Sequence, residues 1–156
     1  MSASDPTDDE VPVQEPDELR FQRCDAAAGG WGAHDPMVLR LATIRSDGQY
    51  NNTSYALNDR NRGVFGVRRV VFMNEVDMRP RGIASGALVE IESVAKDGRR
   101  RLVRNFVARP YDIPSGSVAA YHPETNPLLP LGYHAPKSKT PAAKSIYVRV
   151  RAMETT

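Results

Sequence analysis

Leu41-Ala42-Thr43-Ile44-Arg45-Ser46-Asp47-Gly48-Gln49-Tyr50-Asn51-Asn52 is an apolar run that stops abruptly in a turn. At that stop the chain delivers a guanidinium, a hydroxyl, a glycine and three amides to one place. A guanidinium grips phosphate oxygens with two parallel hydrogen bonds. Glycine permits a sharp turn and close backbone approach, and each amide offers a donor and an acceptor together. A strand end of this composition suits a ligand that carries both phosphates and heterocyclic edges.

Working outward, residues 37–44 read as the strand that feeds this turn. Residues 66–73 read as a second strand, introduced by paired arginines. Asn74 opens a short helix over 74–78, since its side chain can accept an early N–H while Glu75 and Asp77 suit the positive helix end. Pro80 and Gly82 end that helix. Residues 87–94 alternate and read as a strand; Asp97-Gly98 marks a hairpin, and 101–108 return. Strands at 117–121 and 144–150 complete the set, separated by an irregular, proline-containing connection over 122–141. Loops of that length inside a compact domain are often functional. Six or more short strands with a minor helix are most economically a β-barrel.

Charge separates a tail from a body. The net charge is +2, yet residues 1–18 hold seven acidic residues and no Lys or Arg. The rest therefore carries 21 basic against 12 acidic residues, and 17 of its cations are arginine. Arginine favours phosphate recognition; a genome of biased base composition produces the same excess. The acidic, proline-containing start predicts a disordered leader over 1–35, a folded domain over 36–153 and a tail at 154–156. No apolar run approaches the roughly 20 residues that span a bilayer, and no signal peptide is legible. The expectation is a cytoplasmic protein with no membrane span. One cysteine, Cys24, excludes a disulfide framework, and His34, His122 and His134 lack metal-ligand spacing.

Thr43-Ile44-Arg45-Ser46-Asp47-Gly48-Gln49-Tyr50-Asn51 resembles the opening of the C-terminal dinucleotide-binding domain of molybdopterin oxidoreductases, a group that includes formate dehydrogenase alpha subunits and the wider dimethyl sulfoxide reductase superfamily. Later segments match in order. Val71-Phe72-Met73-Asn74-Glu75-Val76-Asp77 and Gly82-Ile83-Ala84-Ser85-Gly86-Ala87-Leu88-Val89 resemble the family's central stretch. His122-Pro123-Glu124-Thr125-Asn126-Pro127-Leu128 resembles its second cofactor loop, and residues 138–150 its closing Ser-x-x-Pro-x-x-Lys and last strand. Asn58-Asp59-Arg60-Asn61-Arg62-Gly63 is most similar to the formate dehydrogenase-like branch related to acid-resistance oxidoreductases.

The resemblance implies a mainly β, double-psi β-barrel of the aspartate decarboxylase-like kind with short helices. It implies a cofactor, molybdopterin guanine dinucleotide, used as a pair (bis-MGD) with Mo or W, whose metal ligand lies outside this chain. The implied partners are N-terminal catalytic domains of the same parent enzyme, with no nucleic acid. The implied cofactor-binding residues are Thr43, Arg45, Ser46, Asp47, Gln49, Tyr50, Asn51, Asn52, Tyr121, His122, Asn126 and Lys144. None is implied to be catalytic. Arg45 and Ser46 would address the pyrophosphate, and Gln49, Asn51 and Asn52 pterin edges or phosphate. Thr43 and Asp47 would orient the turn, and Tyr50 would pack beside the ring system. Arg68 and Arg69 have the reach for a phosphate, but read first as a solvated or interdomain ion pair.

Three other readings attach to the same residues. A stand-alone accessory subunit would carry the same barrel, as in formylmethanofuran dehydrogenases. The cationic body raises nucleic-acid binding, against which stand scattered arginines and no aromatic platform. Gly116-Ser117 is the dipeptide at which aspartate decarboxylases self-cleave, but it lacks that family's surroundings.

Overall fold

The structure, a computed structural model, describes residues 35–50, 54–95, 97–135 and 137–154. Cys24, Trp31, His34, Asn51, Asn52 and nearly all of the acidic leader lie outside the described residues.

Six strands close into a barrel: β1 (Val38–Ile44), β2 (Val70–Met73), β3 (Leu88–Ser93), β4 (Arg101–Pro110), β5 (Ser117–Tyr121) and β6 (Ile146–Ala152). Their order around the ring is β1-β5-β2-β4-β3-β6. Exchanging the first three strands with the last three leaves that order unchanged. The parallel pair β1·β5 maps onto the parallel pair β4·β2, and the antiparallel pair β1·β6 onto β4·β3. This interlocked, pseudo-twofold ring is a double-psi β-barrel. Every ladder joins one strand of the first half to one of the second.

Alternation along the strands builds the interior. Leu39, Leu41 and Thr43 of β1 point inward, as do Ile146, Val148 and Val150 of β6; side chains two apart share one face of a strand. β2 is buried along both faces. Val71 and Met73 join the barrel core, while Val70 and Phe72 pack outward against Val64 and Tyr121. The 54–66 segment therefore covers the outside of β2. Phe72 meets Tyr121 and Tyr111 edge to face at 5.6 and 5.1 Å, the favoured geometry for aromatic pairs. Between Val89 and Ile91 the β3·β4 register shifts. Asn105 takes φ 61° there, so β4 carries the extra residue and Phe106 returns to the core.

Several boundaries differ from the sequence reading. Residues 66–69 are not strand: Gly66 has φ 72°, and Arg68 turns its side chain into a buried polar network. Helix α1 (Glu75–Met78) forms with Asn74 as its cap, accepting from the Val76 N–H at 2.9 Å. The α-helix stops at Met78, two residues before Pro80, which has no N–H to extend it. The chain continues as a 3-10 turn over Arg79–Arg81, closed by Gly82 at φ 62°. Among the described residues no helix is long and apolar enough to cross a membrane.

Candidate functional site

Because β1 and β5 are parallel neighbours, with Ile44 opposite Tyr121, the loops that follow them leave the same end of the barrel side by side. The His122 N–H donates to the Ile44 carbonyl at 2.8 Å. Gln49 then bridges the loops directly, donating from Nε2 to the His122 carbonyl at 2.8 Å. Its Oε1 accepts from the Ser46 N–H at 3.2 Å. The two bends named from sequence thus lie side by side at one end of the barrel, hydrogen-bonded to each other.

Lys144 reaches that end from the turn before β6 and donates from Nζ to the Thr43 carbonyl. Burial, with a further contribution from the charge of Arg45, holds its ammonium below the usual lysine range. Arg45 and Lys144 therefore feel one another as like charges. Tyr50, in the loop after β1, is 76 % exposed. In the second loop His122 Nδ1 lies 2.9 Å from Asn126 Oδ1. An amide oxygen accepts, so this contact is a hydrogen bond in the tautomer that carries the proton on Nδ1, which leaves Nε2 of the neutral ring as an acceptor.

Arg68 lies between the loops and is only 5 % exposed. It donates to Ser46 Oγ at 2.6 Å, to Gln49 Oε1 at 3.0 Å and to the His122 carbonyl at 2.8 Å. Nε and one terminal nitrogen pair with both oxygens of Glu124 at 2.7 and 3.2 Å. The guanidinium also stacks 3.6 Å from the Tyr55 ring centroid and 4.8 Å from that of Tyr121. The expected solvated or interdomain ion pair is thereby corrected for Arg68: its partners lie within the barrel end. Arg69 is exposed and donates to the Arg104 carbonyl.

A second polar cluster backs the first. The Tyr121 hydroxyl donates to Asp59 Oδ2 at 2.8 Å, and Arg62 donates to the same oxygen at 2.6 Å and to the Arg45 carbonyl at 3.1 Å. Burial pushes the Asp59 carboxyl up, but the hydrogen bonds from Arg62 and Tyr121 outweigh it and hold it below the ordinary aspartate range. Burial and the bond to Asp59 push the Tyr121 phenol well up. Asp47 pairs with Arg60 at 3.6 Å.

The residues singled out from sequence therefore divide. Arg45, Asp47, Tyr50, His122, Asn126 and Lys144 are exposed or half-buried at this end of the barrel. Thr43, Ser46, Gln49 and Tyr121 are buried, and the Ser46, Gln49 and Tyr121 side chains hydrogen-bond to Arg68, the His122 carbonyl and Asp59. Asp59, Arg62, Arg68, Tyr55 and Glu124 were missed as site residues. The paired arginines ahead of β2 were the available signal for Arg68.

The molydopterin dinucleotide binding domain family matches residues 39–147, and the chain belongs to that family. An uncharacterized oxidoreductase of Mycobacterium tuberculosis is 45 % identical over 124 residues, which are 77 % of this chain and 16 % of the relative. Protein YdeP of Escherichia coli is 39 % identical over 114 residues, 72 % of this chain and 15 % of its own length. The chain thus spans about one sixth of these curated relatives. Acetylene hydratase from Pelobacter acetylenicus shares the fold, with a TM-score of 0.52 over 74 % of this chain and 18 % of that one at 15 % identity.

Proposed function

We propose that the cleft between the β1 and β5 loops binds a molybdopterin guanine dinucleotide within a larger molybdenum or tungsten oxidoreductase of the formate dehydrogenase-like kind. The observation that carries this reading is the pairing of Arg45 with Lys144, whose ammonium is held below its usual range by burial and by the arginine's charge. Around the two loops Arg45, Arg60, Arg62, Arg68 and Lys144 face Asp47, Asp59 and Glu124, an excess of two positive charges. A pyrophosphate bridge neutralises that excess and relieves the repulsion between the two exposed cations.

The remaining donors fit a heterocycle. His122 with Asn126 and the exposed Tyr50 provide an acceptor, an amide and an aromatic face for pterin or guanine edges. When bound, the cofactor supplies the metal dithiolene at which electrons move; the protein binds, orients and shields it. The residues here would hold phosphates at Arg45 and Lys144, orient the ring system at His122 and keep the loops rigid through Ser46 and Gln49. The partners would be the catalytic domains of the same polypeptide, as the greater length of the oxidoreductase relatives suggests.

The natural full-length polypeptide tests this with and without Arg45→Ala. Guanine nucleotide released by acid and metal by mass spectrometry should accompany the unaltered protein in near-stoichiometric amount and fall at least fivefold in the variant. Unchanged content would remove Arg45 from the site.

A further inference from the structure

Arg68 belongs to neither loop, yet it touches both. From the first loop its guanidinium takes Ser46 Oγ and Gln49 Oε1; from the second it takes the His122 carbonyl and both oxygens of Glu124. Its central carbon lies over the Tyr55 and Tyr121 rings, 3.6 and 4.8 Å from their centroids. All three guanidinium nitrogens are engaged, in directions that only a planar fork reaches. The His122 carbonyl accepts from Arg68 and from Gln49, each at 2.8 Å. Two donors converging on one carbonyl fix that peptide plane, and with it the direction in which the His122 side chain leaves the backbone.

Energetics point the same way. Burying an ion pair costs desolvation that its mutual attraction scarcely repays, so such a pair contributes little net stability over apolar packing. What it supplies is a unique geometry. We propose that Arg68 is the positioning residue of this cleft, setting the separation of the β1 and β5 loops and hence the place of His122 relative to Arg45. The consequence for cofactor loading rests on the reading above; the consequence for His122 does not.

Arg68→Lys keeps the charge and loses the fork and the stacking plane; Glu124→Gln keeps the arginine and weakens its strongest partner. Two readouts are needed beside circular dichroism and thermal melting. The first is the nitrogen-15 spectrum of labelled histidine, with His122 assigned by His122→Gln. The unaltered chain should show His122 protonated at Nδ1. Arg68→Lys should shift it toward the Nε2–H form that free imidazole prefers. The second is guanine nucleotide per folded full-length protein, expected to fall at least tenfold. A folded Arg68→Lys protein that keeps both the Nδ1–H signature and its nucleotide overturns the proposal. Should Arg68→Lys fail to fold, the same pair of measurements on Glu124→Gln decides. If the unaltered protein carries no guanine nucleotide, the cofactor reading falls, and the His122 spectrum still decides the role of Arg68.

Discussion

The Tyr121 hydroxyl donates to the Asp59 carboxylate at 2.8 Å, joining residues 62 positions apart. This contact ties the 54–66 segment to the last residue of β5 and so fixes the covering of β2. Tyr121→Phe leaves a buried carboxylate one donor short and should cost about 1–3 kcal/mol in denaturant unfolding. In the unaltered protein, Tyr121 should fail to contribute to the tyrosinate absorbance that develops near pH 10, because its folded value is raised.

Asp59 makes a prediction of the opposite sign. Its folded pKa lies below the 3.8 of a free aspartate. Its stabilising contribution is therefore complete above that value and lost as the pH falls through the folded one. Asp59→Asn should lower the melting temperature at neutral pH. The gap between variant and unaltered protein should narrow as both are acidified below pH 3.8, measured by circular dichroism.

Lys144 is depressed from 10.5 by burial and by Arg45. The unfolded chain then binds more protons than the folded one just below that value, so this residue's contribution to stability rises with pH there. Arg45→Ala should move the Lys144 titration upward and flatten that rise. Carbon-13 titration of the lysine ε-carbons, assigned with Lys144→Arg, reads the shift; an unmoved Lys144 would separate the two cations.

At the other end of the barrel Asp77 accepts from Ser115 Oγ and from the Gly116 N–H, both at 2.8 Å. Asn74 donates to the Ile113 carbonyl at 2.7 Å, so the loops after β2 and β4 are also tied to each other. Asp77→Ala should destabilise by about 1–3 kcal/mol and leave guanine nucleotide per folded molecule unchanged. Loss of nucleotide in step with Arg45→Ala would contradict a cleft confined to the β1 and β5 loops.

Gly48 has φ 72° and nothing within 4 Å of where a Cβ would stand. Gly48→Ala meets no clash, only the conformational penalty of the left-handed region, about 1 kcal/mol. A melting temperature lowered by a few degrees, with the cleft otherwise intact, is the expected result.

Much of this was legible because apolar alternation is local. Residues 37–44, 87–94 and 117–121 gave strands within a residue or so, and Asp97-Gly98 gave the β3·β4 hairpin. The ring order was not readable from periodicity, because β1 pairs only with strands that begin at Ser117 and Ile146. It entered through resemblance to a family. Arg68 defeated the reading for a related reason. A charged residue before an apolar run reads as solvated, and its carboxylate partner lies 56 positions away. Ser46 and Gln49 were placed in the right loop, but polarity alone does not say whether a side chain faces the ligand or the protein behind it.

The cross-half pairing has a consequence for biosynthesis. When a ribosome has delivered β1, β2 and β3, none of the three has a neighbour to bond; the earliest ladder forms only as Arg101–Pro110 emerges. The ring then stays open until Ile146–Ala152 has cleared the exit tunnel. Non-local pairing of this kind is intrinsically slow. The neighbourhood of Arg45, His122 and Lys144 accordingly comes into being only once the chain has been translated through Lys144.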